Sequence, residues 1–269
     1  MVRTLLKHEA KAYLHTLIPM NIILICIAVF TRAIWLFEGK NTVFDIVGVS
    51  SIVALCVAMI VSIIMAMAFS IIRFYKNMFT AEGYLTMTLP VSPAQHIFAK
   101  LICAVGFNLL TFVGVAVAAC IAMAGDMALE VFRAVFWLAG RYMNEFELDG
   151  AMWIAEMVVL MLIMLITQFL LYYTCISIGQ LAKKNRVLAA FGVYFIYYFI
   201  CQIIGTVFIV VFSLLANTPL METVFDFISK HQRTTVHIAL IGISVIYAIL
   251  GAVYYFITHR IISRRLNLE

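Results

Sequence analysis

IVGVSSIVALCVAMIVSIIMAMAFSII (Ile46–Ile72) runs directly into RFYKNMFTAEGYLTMTLPVSPAQHIFAK (Arg73–Lys100). The first stretch is apolar without a charge. It exceeds the run of about 20 residues that crosses a hydrocarbon core about 30 Å thick. The second stretch, 28 residues long, is polar and net basic. A long apolar run ending abruptly on Arg, Lys and turn residues is a transmembrane helix entering a cytoplasmic loop. A soluble core helix needs a polar face, and Ile46–Ile72 has none.

The rest of the chain repeats the pattern. Of 269 residues, 65% are hydrophobic and 12% charged, and the mean hydropathy is +1.10. A soluble domain carries about 25% charged residues. The excess lies in six runs, predicted as spans at Leu17–Phe37, Ile46–Ile72, Ile97–Ala124, Ala151–Ala182, Val187–Ala216 and Val236–Thr258. Several exceed the minimum length and are expected to tilt or to extend beyond the bilayer. Short alternating segments of a β-barrel do not appear. The expected fold is therefore all-α: a single polytopic domain over 1–269 with six transmembrane helices. The first span is too long for a signal-peptide apolar region and no small-residue cleavage site follows it.

Lys and Arg set the orientation. One side holds 12 of the 18 basic residues against Glu9, Glu82 and Glu269, a net charge of +9. The other holds 6 basic and 10 acidic residues, a net charge of −4. Both termini and the 73–100 loop are thus expected in the cytoplasm. The positive charge is a topology signal and gives no reason to expect nucleic acid. The six cysteines all lie inside predicted spans without a CxxC and read as packing residues. The six histidines show no ligand spacing, so no metal site is expected.

Before the first span, Arg3, Lys7, Lys11 and His15 fall four apart beside an apolar face of Val2, Leu6, Ala10, Tyr13 and Leu17. Residues 1–16 read as an interfacial helix on anionic lipid, or as a cytoplasmic extension of the first span. Two outer loops, 125–150 and 217–235, each contain an amphipathic stretch. Phe132, Val135, Phe136, Ala139, Met143 and Phe146 share a face in the first. In the second, Thr218 and Pro219 are a natural N-cap and first helical residue. These helices could cap an exit or simply pack.

Polar residues inside the spans are few. Gln168 and Gln202 lie about 16 and 18 residues from the Lys183–Arg186 turn, which puts both at about 25 Å from it. They could hydrogen-bond each other or line a path, as could Asn108. Glu156 lies about one and a half turns inside the outer end of its span, where it is a candidate outer gate or a group shallow enough to reach water. The aromatic and Met stripes of the fourth and fifth spans suit an amphipathic cargo, and equally suit lipid.

The chain carries no GxxxxGK[ST] phosphate loop, and Ser177-Ile178-Gly179-Gln180 sits inside a span with no nucleotide site around it. GxSxG, HExxH and EExxxR are also missing, so an enzyme is not expected. No repeat relates the two halves, so an inverted-repeat secondary transporter is not supported.

Within the loop, Ser92-Pro93-Ala94-Gln95 is a capping box that starts the third span as a helix before Lys100. Thr80 can cap a short helix that Leu89-Pro90 ends. Tyr75-Lys76-Asn77, Glu82-Gly83-Tyr84-Leu85 and Thr88-Leu89-Pro90-Val91 resemble the loop between the second and third spans of bacterial ABC-2-type transporter permeases. These are the membrane subunits of two-component ABC exporters, and one branch exports amphipathic phenol-soluble modulin peptides.

The resemblance implies a multi-pass protein of the bacterial cytoplasmic membrane that pairs with a second permease copy and sits on two cytosolic ABC ATPase subunits. ATP and Mg would be bound by those subunits, and no cofactor by this chain. Thr80, Glu82, Gly83, Tyr84, Leu85 and Leu89 would form the coupling helix. The alternative is a membrane scaffold or sensor that recruits another cytosolic partner through the same loop.

Overall fold

The computed structural model describes residues 2–37, 42–80, 83, 92–124, 126–145, 149–216 and 218–264. Among them there is helix and no strand. The helices are α1 (Val2–Trp35), α2 (Thr42–Phe79), α3 (Pro93–Ala122), α4 (Asp126–Glu145), α5 (Gly150–Gly179), α6 (Arg186–Leu215), α7 (Pro219–Lys230) and α8 (Gln232–Arg264). Six of them, α1, α2, α3, α5, α6 and α8, are long and apolar enough to cross a membrane. The protein is an all-helical, multi-pass membrane protein.

The chain forms two compact units, Met1–Trp137 with Leu268–Glu269, and Leu138–Asn267. In the first, α1 packs on α2 and α3, which also touch each other. Two apolar clusters hold it. Tyr13, Leu17, Ala66 and Cys103 form one, and Leu24, Ala28, Leu55 and Ala118 the other. Lipid is as apolar as leucine, so close packing and small residues must hold membrane helices together. Gly114 illustrates this: a Cβ there would lie 2.3 Å from Asn21 Oδ1.

Residues 2–16 do not form a separate interfacial helix. They are the first turns of α1, which runs unbroken through Pro19 to Trp35. The apolar side of this segment is covered by protein rather than lipid, because Tyr13 and Leu17 pack against Ala66, Phe69, Cys103 and Phe107. Arg3, Lys7, Lys11 and His15 remain exposed on the opposite side.

The 28-residue polar break is shorter in space than in sequence, since α2 continues to Phe79 and α3 begins at Pro93. At 38 residues α2 is about 57 Å long, well over the bilayer core. The capping box forms as expected: Gln95 N–H donates to Ser92 Oγ, and Ser92 N–H donates to the Gln95 side chain.

In the second unit α5 packs along α8 and also touches α6. A ladder of threonines joins α5 to α8. Thr167 donates to the Tyr247 carbonyl at 3.0 Å, and Thr174, two turns on, to the Tyr254 carbonyl at 3.0 Å. The α5–α6 turn is as tight as the sequence suggested. Asn185 takes a left-handed conformation, φ 53°, which Asn tolerates better than most residues. A Cβ on Gly179 would meet the Ala190 backbone nitrogen at 2.6 Å, so only glycine lets the helices approach there.

Both amphipathic helices expected in the outer loops are present as α4 and α7. Thr218 stands at the N-cap of α7, but its hydroxyl donates back to the Leu215 carbonyl at 2.6 Å instead of capping. Pro219 alone marks the helix start by its fixed φ.

Candidate functional site

Glu9 gathers the polar side chains at the loop end of the first unit. It is 5% exposed and lies one turn before Tyr13 on α1. Its Oε2 accepts from Arg73 Nε at 2.7 Å, and its Oε1 accepts from Lys100 Nζ at 2.6 Å and from Asn77 Nδ2 at 3.1 Å. Arg73 and Asn77 sit on the last turns of α2, and Lys100 on the second turn of α3. One carboxylate of α1 thus fastens both roots of the loop. Removing two or three charges from water is repaid only when each is paired and hydrogen-bonded, as here.

The packing beneath the cluster continues the link. The Arg73 guanidinium lies 5.9 Å from the Tyr13 ring centre. Tyr13 stacks on Phe107 of α3 and meets Phe69 of α2 edge-on, each at 5.1 Å. Ser70 hydrogen-bonds the Tyr13 hydroxyl. Asn108 donates to Ser70 Oγ at 2.9 Å and to the Ala104 carbonyl at 2.8 Å. Three helices are therefore locked by one continuous set of contacts from Glu9 to Asn108. His96, one turn before Lys100, is fully buried, and among the described residues neither ring nitrogen has a partner.

Of the loop residues singled out from the sequence, Glu82, Tyr84, Leu85 and Leu89 lie outside the described residues. Thr80 and Gly83 are described. The Thr80 hydroxyl donates to the Lys76 carbonyl at 2.6 Å, and its own carbonyl accepts from Gly83 N–H at 2.7 Å. Thr80 closes the end of α2 in this way. A Cβ on Gly83 would lie 2.7 Å from the Met78 carbonyl oxygen, so this turn needs glycine.

Asn108 is 2% exposed and its amide is spent between α2 and α3. In the second unit, Gln168 lies one turn before Tyr172 on α5. Gln202 is exposed on α6, a helix with no buried residue. No Gln168–Gln202 bond is found among the described residues.

Glu156 pairs with a residue the sequence did not suggest: its Oε2 meets His237 Nδ1 of α8 at 2.7 Å, with both side chains mostly buried. Nearby, Arg233 of α8 forms an ion pair with Asp149, the N-cap residue of α5. Among the described residues no group of three or more His, Cys, Asp and Glu could hold a metal ion.

No protein-family model, no curated protein and no solved structure matches the chain. The class the fold defines is a six-span helical membrane protein with one clamped polar loop. Anything narrower rests on the residues themselves.

Proposed function

We propose that the chain is the permease subunit of an ABC-2-type exporter in a bacterial cytoplasmic membrane. It would carry an amphipathic or hydrophobic cargo of the peptide class outward with energy from ATP hydrolysed on separate ATPase subunits. In this reading two permeases, identical or related, stand on two ATPases, ATP and Mg stay on those partners, and both termini are cytoplasmic. The chain itself carries out no chemistry.

The observation that carries the reading is the clamp around Glu9. A loop that takes up force from a cytosolic motor must pass it to several helices at once. Arg73 and Lys100 flank the loop and share one carboxylate on a third helix. Pushing the loop therefore displaces α1, α2 and α3 together. The resemblance of Glu82-Gly83-Tyr84-Leu85 and Thr88-Leu89-Pro90-Val91 to the coupling segment of ABC-2 permeases supports the same reading.

Thr80, Glu82, Gly83, Tyr84, Leu85 and Leu89 would make the coupling contact, with Tyr84 and Leu85 as anchors, since buried aromatic and aliphatic groups carry most interface energy. The test is Tyr84→Ala with Leu85→Ala. The double variant should insert and fold normally yet lose association with a co-expressed ABC ATPase partner. Normal association and transport would remove the coupling role. A loop that binds a cytosolic protein other than an ATPase would favour the scaffold or sensor reading.

A further inference from the structure

α4 is a helix of 20 residues that lies along no other helix among the described residues. Phe132, Val135, Phe136, Ala139 and Met143 recur at helical spacing and share one face. Phe132, Val135 and Phe136 are 47%, 57% and 72% exposed, so no protein covers the centre of that face. Glu130, Arg133, Arg141, Asn144 and Glu145 lie off it and are exposed. A contiguous apolar patch of this kind marks a surface that meets something other than water.

The connections of α4 say what that is. Three residues join it to α3 and four join it to α5. Both junctions are at the ends of spans that point away from the 73–100 loop. A helix of about 30 Å tied so closely at both ends is held at the membrane surface. Its last turn also fixes which face looks toward the bilayer. Met143 belongs to the apolar face and reaches Gly150, the first residue of α5, where a Cβ would lie 2.9 Å from the Met143 sulfur. The charges select no charged partner, since Glu130 and Glu145 offset Arg133 and Arg141.

We propose that α4 is an interfacial helix, with Phe132, Val135, Phe136 and Ala139 seated in the lipid leaflet opposite the 73–100 loop. Apolar burial holds it there, and neutral headgroups are sufficient. The inference depends on the spans and is independent of the exporter reading.

The test places a nitroxide at single cysteines in the full chain, with the six native cysteines replaced, in phosphatidylcholine nanodiscs. Labels at Phe132→Cys, Val135→Cys and Ala139→Cys should be relaxed more by oxygen, which dissolves in lipid, than by a water-soluble nickel chelate. They should read about 5–10 Å below the phosphates. Labels at Glu130→Cys, Arg133→Cys and Asn144→Cys should show the reverse order. Adding phosphatidylglycerol should leave both sets unchanged. In folded protein, Phe132→Glu with Phe136→Glu should move the label at 139 from oxygen to nickel access. Nickel access on both faces would overturn the proposal in favour of a solvated helix. Apolar-face labels shielded from both reagents would overturn it in favour of a protein partner. Lipid access that needs phosphatidylglycerol would overturn the apolar basis of docking.

Discussion

Glu9 and Glu156 are each a mostly buried carboxylate near the end of a long helix, and they end in opposite states. Glu9 receives three donors from two other helices, Arg73, Asn77 and Lys100. Glu156 meets one, His237, and among the described residues its other oxygen has no partner. A carboxylate with both oxygens engaged by donors from two other helices is a fastener, because moving its own helix breaks several charged hydrogen bonds at once. The first unit is thus cross-braced between three helices by charged hydrogen bonds, and the second is joined at Glu156 by a single contact to one helix.

The largest expected effect comes from breaking the clamp at its centre. Glu9→Gln leaves Lys100 and Arg73 without their counter-charge. Lys100 is 3% exposed, so most of the usual cost of orphaning a buried ion, about 3–5 kcal/mol, should fall on it. Thermal unfolding in nanodiscs should show a large drop. Lys100→Met alone should cost less, because Glu9 keeps Arg73 and Asn77. The pair Glu9→Gln with Lys100→Met should recover part of the loss, and strict additivity would mean the charges are not coupled.

A second, smaller effect concerns helix approach in the other unit. Gly179→Ala places a methyl 2.6 Å from the Ala190 backbone nitrogen, so α5 and α6 must separate. Overpacking of this kind costs about 1–3 kcal/mol. Gly192→Ala, on the same α5–α6 pair but with nothing within 4 Å of its Cβ position, should be near neutral. Equal behaviour of the two would contradict the packing described.

The smallest effect is expected from the threonine ladder. Thr174→Val removes the bonds to the Tyr254 carbonyl and to Thr258 Oγ1, each 3.0 Å long. Interhelical hydrogen bonds in membranes average about 0.6 kcal/mol. A loss above about 2 kcal/mol would show that the ladder carries more of the α5–α8 contact than we assign to it.

The six spans were legible in the sequence because each is a run of apolar residues longer than the bilayer core requires. Ser92-Pro93-Ala94-Gln95 was legible because a capping box is local. The Glu9 clamp was not, because its partners lie 64, 68 and 91 residues away and each charge also fits a solvated loop. The His237–Glu156 pair spans 81 residues and was hidden for the same reason. The apolar face of residues 2–16 was visible, but nothing local tells a helix lying on lipid from one packed on α2 and α3. The Gln168–Gln202 reading shows a further limit. Rise per residue gives depth along a helix, but facing requires the rotation of each helix about its axis. Gln202 is exposed on α6 and makes no bond to Gln168 among the described residues.

The central claim is that the 73–100 loop, fastened through Glu9, couples a separate ATPase to the spans. The most direct measurement is affinity purification of the tagged chain from its native membrane, identification of any ABC ATPase that comes with it, and ATP hydrolysis of the complex in nanodiscs. The account predicts a stable complex containing two ATPases and two permeases. Tyr84→Ala with Leu85→Ala should lose the complex, while a folded Glu9 variant should keep it with hydrolysis no longer responsive to amphiphile. A chain that purifies without the ATPase, or a loop variant that holds it as firmly as the native sequence does, would contradict the account.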